Sequence, residues 1–564
     1  LCFMVCLQPS QVHGQVDTND AAMAAYADAA NFQTGGAINL AIDGWQSFLA
    51  KYPKHAMAAD AAHYLGVCYM QKETPDYVAA AKAFGKALQK SKYDLREESL
   101  ANFGWCNYIA SGEGEQRDKA KLKLSLDAFQ RLLKESPRTR FMDRALFYSG
   151  EAAYGMGNSK QAIQYYDRLL KMPNASASQL LCDTLYAKGV AYEELKQFDQ
   201  ALNSFTQLLK VCDRAELITD VHLRMGDMLI MEKNYPAAVQ SFDAALESTK
   251  VADDLAYALF RQAFAHVQTN APAKAAKNYD RLLAEYPNTN YASSASLASA
   301  QSTYRSGNID EAAKRFRQVL TQNNRVAATE AAHWLARIEI TKRRPADAAV
   351  IAREQIQRGA EGRFAIDLRL DLAEALSMNP KTLKESMMMF EQIYRENPDN
   401  TLASRALYNA AFSALQIQNP KKALSLALEF IKRFPNDTLV PDIKFVAAES
   451  QLLTNQNSAA ADTYTHLLES TQKDNIQRPI WVLRAGAALI TAKRYQDVTR
   501  ILNAELTNLP DSVQKAEALL LIGQAFRKAG DNKQAARALK ASVAADANWA
   551  RADEVLLLSG QSSN

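Results

Sequence analysis

Between Leu185 and Leu209, LYAKGVAYEELKQFDQALNSFTQLL, apolar residues recur at three- and four-residue spacings on both sides of Lys196-Gln197-Phe198-Asp199. That period puts them on one face of each of two helices, and the short polar interruption predicts a tight turn that folds the second helix back antiparallel to the first. Gly189 has no side chain, so the second helix can approach closely there; Ala201 offers the matching small surface, and Phe205, one turn on, fills the remaining gap. Such a hairpin cannot bury both of its apolar faces alone and must stack on copies of itself.

Copies run along the chain. With the small residue that opens each second helix as an anchor, the series is Ala41, Ala80, Ser125, Ala162, Ala201, Ala238, Ala275, Ala312, Ala348, Ser386, Ala423, Ala460, Val498 and Ala535, with a prevailing step of 37 residues. One step, Ala80 to Ser125, is 45 residues, and the polar insertion Ser111-Gly112-Glu113-Gly114-Glu115-Gln116-Arg117 accounts for it as a loop. Four residues after the anchor stand Trp45, Phe84, Phe129, Tyr166, Phe205, Phe242, Tyr279, Phe316, Phe390 and Tyr464; the other four copies carry Ala352, Ala427, Leu502 and Leu539. Twelve before it the chain places Gly or Ala, as at Gly150, Gly189, Gly226, Gly486 and Gly523, and Glu374 alone breaks the rule, beside Ala373 and Ala375. Twelve after it, Pro53, Pro137, Pro287, Pro398, Pro435 and Pro510 stop the second helix. Beyond Ala545, Trp549 and Val555-Leu556-Leu557-Leu558 predict one more helix, over about 547–559, to cover the apolar face of the last copy; a partner-binding tail is the other reading.

This combination resembles the tetratricopeptide repeat: a small residue at position 8 of the unit, Ala at 20, an aromatic at 24 and Pro at 32. The departure is the period, since the additional residues fall after the Pro position, as in Tyr286-Pro287-Asn288-Thr289-Asn290-Tyr291-Ala292. LAEYPNTNYASSA, FIKRFPNDTLVPDIKF and FLAKYPKHAMAADAAHYLG are similar in style to the units of bacterial envelope tetratricopeptide proteins, such as the TolA-binding cell-division coordinator and the repeat lipoprotein of the outer-membrane β-barrel assembly machinery. The resemblance implies an all-α, right-handed α-solenoid of about fourteen helical hairpins over residues 21–546, with a capping helix and tail over 547–564. It also implies that the first helices line a concave groove through their positions 2, 5, 9 and 12. Those are Asp183, Tyr186, Val190 and Glu193 in one hairpin; Tyr257, Phe260, Phe264 and Val267 in the Ala275 hairpin; and Arg405, Tyr408, Phe412 and Leu415 in the Ala423 hairpin. Tyr257, Phe260, Phe264, Tyr408 and Phe412 suit an apolar or extended peptide, with Arg261 and Arg405 for polar or acidic groups. The same stripe could instead pack between neighbouring hairpins. The family's carboxylate clamp, which needs Lys and Asn at positions 5 and 9, is not expected here, where those pairs read Phe147/Glu151, Leu223/Asp227, His333/Arg337 and Phe445/Glu449.

Composition narrows the setting. A chain of 564 residues exceeds one globular core, which favours an extended array. Sparse Pro (16) and Gly (21) with 48% apolar residues describe an ordered, helical chain. The net charge is +4 without a basic run, so neither nucleic acid nor an anionic membrane is expected as partner. No apolar run reaches the roughly 18 residues of a membrane span. The block Leu1–Leu7, LCFMVCL, followed by Val12-His13-Gly14, suggests a truncated signal peptide over 1–14, cleaved before Gln15, with a linker over 15–20; lipidation at Cys6 is disfavoured by Val5. A frayed apolar terminus is the alternative.

Candidate chemistry adds little. Six cysteines are too few for a disulfide-built fold. Cys2 and Cys6 would leave with the signal, Cys68 and Cys106 occupy equivalent buried places, and Cys182 and Cys212 fall at adjoining ends of one hairpin, where an oxidising compartment could join them. The seven histidines form neither an i, i+4 pair nor HExxH, so no metal site is expected. Gly155-Met156-Gly157-Asn158-Ser159-Lys160 resembles a phosphate loop but sits on a hairpin turn with no preceding strand. No catalytic constellation and no cofactor site are expected. The expectation is a non-catalytic protein-interaction scaffold of a bacterial envelope, periplasmic or outer-membrane associated, with protein or peptide segments as partners and association with envelope complexes. The alternatives are a cytoplasmic adaptor or the solenoid of a cell-wall lytic enzyme, for whose compact catalytic domain no residues are left.

Overall fold

The computed structural model describes residues 18–563, and the expected signal segment 1–14 lies outside them. Among the described residues there are twenty-nine α-helices, four short 3-10 turns and no strand. In chain order the helices alternate as fourteen first and fourteen second members, each second member carrying one anchor, and a further helix, Ala552–Ser563, follows. The first helix starts at Thr18, inside the stretch expected as linker. The closing helix starts later than expected, because residues 546–551 are spent on the turn between it and Asn532–Ala545.

Two compact units divide the chain, residues 1–270 and 271–564. The first contains six helix pairs and the helix Ala252–Gln268; the second contains the helix Pro272–Glu285, seven pairs and the closing helix.

The hairpin that set the pattern shows why the pairs form. Leu181–Glu194 and Phe198–Val211 meet across Gly189, where an added Cβ would lie 2.4 Å from the Phe205 ring. The same collision recurs at Gly66 with Phe84, Gly104 with Phe129, Gly150 with Tyr166 and Gly226 with Phe242, so position 8 is small because the position-24 ring occupies the space a side chain there would take. All fourteen anchors are fully buried, and the residues four further on are at most 3% exposed. The turn between the helices is a Schellman closure: Gln197 N–H donates to Tyr192 O at 2.9 Å and Lys196 N–H to Glu193 O at 2.8 Å, with Lys196 left-handed at φ 56°. Pro53, Pro137, Pro287, Pro398 and Pro435 each stand two residues past the helix they end, as Pro287 follows Pro272–Glu285, whereas Pro510 comes after the 3-10 turn Leu506–Asn508 that prolongs Tyr495–Glu505.

Glu374 is explained by register. A longer turn containing the 3-10 segment Pro380–Thr382 separates Ala365–Ser377 from Leu383–Glu396, and Ala373 takes the small-residue place: it is fully buried and its carbonyl accepts from the Ser386 hydroxyl at 2.7 Å. Glu374 is thereby turned out towards neighbouring hairpins. The closing helix seats Val555 against Leu520 and Leu539, with Trp549 and Leu558 beside them, so the last pair is covered.

Candidate functional site

Successive first helices are linked by carboxylates. In the first unit, Asp227 accepts the Tyr257 hydroxyl and the Arg261 Nε of the next first helix, each at 2.6 Å. Asp220 likewise accepts the Tyr186 hydroxyl at 2.6 Å, and Arg224, one turn along, reaches Glu193 at 3.0 Å. In the second unit, Glu374 takes Arg337 from one neighbour and Arg405 from the other, both at 2.8 Å, and His333 meets Asp371 at 2.6 Å. Burial holds the Asp371 carboxyl above the usual carboxylate range, against the pull of the His333 hydrogen bond.

These bridges sort the residues expected to receive a partner. Tyr257 and Arg261 have their polar ends engaged by Asp227; Phe260 and Phe264 are half-buried, with the Arg261 guanidinium 5.8 Å from the Phe264 ring centre. Arg405 is exposed but tied to Glu374. Tyr408 is half-buried and stacks on Phe412 with ring centres 6.1 Å apart, and Phe412 is 37% exposed. The linking role of Asp220, Asp227 and Glu374 was not read from the sequence; the signal was a Tyr or Arg about one period away on either side, as Tyr186 stands 34 residues before Asp220 and Arg261 34 residues after Asp227.

One concavity of the first-helix face lies between the Ala162 and Ala201 hairpins. A cavity of about 260 Å³ is lined by Phe147, Glu151 and Tyr154 of the helix Met142–Gly155, Tyr166 of Ser159–Leu170, and Asp183, Tyr186, Ala187 and Val190 of Leu181–Glu194. Six of these are positions 5, 9 and 12 of one unit and 2, 5 and 9 of the next. Glu151 sits at its base and accepts the Tyr166 hydroxyl at 2.6 Å and the Tyr108 hydroxyl at 3.0 Å. Burial, reinforced by the Glu151 charge, pushes both phenols well above their ordinary pKa, so both stay protonated donors. Asp183 lies at the rim, paired with Arg214 at 2.7 Å. A larger cleft, about 730 Å³, opens at the connector end near Arg138, Arg140, Asp143, Arg168 and Lys171.

Cys182 and Cys212 are free thiols lying close enough to share a hydrogen bond. Burial and that hydrogen bond push Cys182 up to about 11. For Cys212 burial acts in the same direction, but hydrogen bonds from Cys182 and Arg214 outweigh it and leave that thiol below its ordinary value. Cys68 and Cys106 are buried free thiols.

Among the described residues no group of His, Cys, Asp and Glu is arranged to hold a metal ion, and no helix is long and apolar enough to cross a membrane.

Family models match in several stretches: a tetratricopeptide repeat-like domain over residues 248–376, and tetratricopeptide repeats over 186–253 and over 144–174, 405–437 and 517–546. No curated protein matches the chain in sequence. Similar solved structures include the C-terminal part of a repeat protein from Cytophaga hutchinsonii, at 18% identity over 47% of this chain and 97% of that one, with a TM-score of 0.37. A tetratricopeptide repeat protein from Parabacteroides merdae is 17% identical over 51% of this chain and 100% of its own, with a TM-score of 0.30. The structure of Naa15/Naa10 bound to HypK-THB is 13% identical over 96% of both chains, with a TM-score of 0.35. A small residue under an aromatic plug, a buried alanine-type anchor and a proline stop, repeated in register and met by these models over 144–174, 186–376, 405–437 and 517–546, make the chain a member of the tetratricopeptide-repeat family.

Proposed function

We propose that this repeat protein is a non-catalytic interaction scaffold that receives extended protein segments on the face formed by its first helices. The observation that carries the reading is the cavity between Met142–Gly155 and Leu181–Glu194, whose walls come from the positions that face a ligand in such repeats. Rigid hairpins supplying a few side chains each would bind a long segment multivalently, so modest single contacts sum to a useful affinity. Phe412, exposed and stacked on Tyr408, offers a second apolar contact of the same kind in the other unit.

Photo-crosslinking tests this. A photoreactive amino acid placed at Val190 or at Phe412 should capture a partner, whereas the same residue at Leu428, exposed on a second helix, should not. Equal capture from Leu428 would overturn the first-helix assignment. A bacterial envelope is the setting we propose, supported by the apolar LCFMVCL block and by the style of the connectors. Mass spectrometry of the native N-terminus decides it, since a mature chain beginning near Gln15 is expected and an intact front end would remove the proposal.

A further inference from the structure

We infer that the cavity between the Ala162 and Ala201 hairpins is a receptor for one basic side chain, lysine or arginine, of the partner segment. The inference rests on the first-helix reading above and deepens it by naming what the cavity selects. Its base carries a net negative charge held only by neutral donors: both oxygens of Glu151 accept tyrosine hydroxyls, from Tyr166 and Tyr108, and among the described residues Glu151 forms no ion pair. Arg117 is spent on Tyr108, 4.2 Å from the ring centre and donating to the ring hydroxyl at 3.4 Å, and Arg224, 5.7 Å from the Tyr186 ring centre, is tied to Asp220 and Glu193. A half-buried carboxylate in this state favours a cationic visitor strongly, because the low local dielectric magnifies an attraction that water would damp.

The walls suit the same visitor. Phe147, Tyr154 and Tyr186 present aromatic rings, and a cation over such rings is attracted by their quadrupoles. Tyr186 is pinned through its hydroxyl to Asp220 at 2.6 Å, and Tyr154 through a hydrogen bond to Glu194, so both rings are fixed before anything enters. Pinned walls reduce the ordering cost of binding. At about 260 Å³ the cavity is smaller than the range of roughly 300–1,000 Å³ that houses drug-sized ligands, and it matches a single side chain. An acidic side chain would meet Glu151 as a like charge, so the site discriminates against acids as well as for bases.

The experiment uses the full chain and short peptide pools with one central position fixed as lysine, arginine, norleucine or glutamate, read by fluorescence polarisation. Lysine and arginine pools should bind at least about tenfold more tightly than the norleucine pool, the size of one charge-assisted hydrogen bond. Glu151→Gln, which keeps an oxygen acceptor for a tyrosine, should erase that preference, so that the lysine, arginine and norleucine pools bind alike. Should Glu151→Gln lose helicity, Val190→Arg, which puts a guanidinium into the cavity, is expected to erase the preference instead. Equal binding of all pools, a preference for glutamate, a preference surviving in the helical variant, or no binding by any pool would each overturn the assignment. Equal binding with crosslinks still confined to Val190 and Phe412 leaves the first-helix reading standing, so the two failures are distinguishable.

Discussion

His63 shows how a single residue ties stability to pH. It is buried, its Nδ1 lies 2.7 Å from the Ser99 hydroxyl of the next hairpin, and burial pushes its pKa down to about 4. The unfolded chain binds the proton near pH 6.5, so between there and about pH 4 it holds more protons than the folded one. Stability is therefore fully present above about 6.5 and falls by up to about 3 kcal/mol as the pH drops to about 4. Urea titrations of the native protein and of His63→Asn across that window check it: the variant should lose the slope in this range. Sequence alone placed His63 only as a scattered histidine, because the packing that strips its water comes from a neighbouring hairpin. By contrast the anchors and their aromatic plugs were legible, since Gly189 and Phe205 belong to one hairpin and their spacing carries the contact. Glu374 misled for a local reason, a turn lengthened by Pro380–Thr382 that moves Ala373 into the small-residue place.

Within one element, the helical hairpin, the repeat leaves chemistry at its open end. Leu181–Glu194 begins and Phe198–Val211 ends where Cys182 and Cys212 adjoin, with Arg214 favouring the Cys212 thiolate. Treatment with a peroxide should convert Cys212 to the sulfenic acid, which Cys182 then attacks to form the disulfide with release of water. Intact mass should fall by two hydrogens, and closing a loop of about thirty residues should add about 3 kcal/mol to the hairpin's resistance to denaturant. A Cys182→Ala chain that gains the same resistance would refute the pairing. That the two cysteines adjoin was legible from antiparallel geometry; that the thiols differ in acidity was not, because Arg214 acts from beyond the helix end.

At the scale of the molecule, an array of short-range modules needs its last exposed face covered. Val555 of Ala552–Ser563 does this against Leu520 and Leu539. Removing residues 547–564 should leave those leucines bare and fray Ser512–Lys528 and Asn532–Ala545, while earlier hairpins keep their protection. Hydrogen exchange resolved along the chain is the measurement, and protection lost evenly throughout would contradict this nearest-neighbour behaviour. The number of hairpins was readable because every copy repeats one local rule. What differs from copy to copy was not, because it is written between copies.

The bridging carboxylates give the repeats an order. Because the period is regular, cutting out the Ala238 copy looks harmless on paper, as though one cassette had been lifted from a stack. Yet that copy holds Asp220, Arg224 and Asp227. Its excision would break the bonds to Tyr186 and Glu193 on one side and to Tyr257 and Arg261 on the other. The modules share a shape but are not interchangeable, and evolution by duplication or loss would have to rewrite the seams each time.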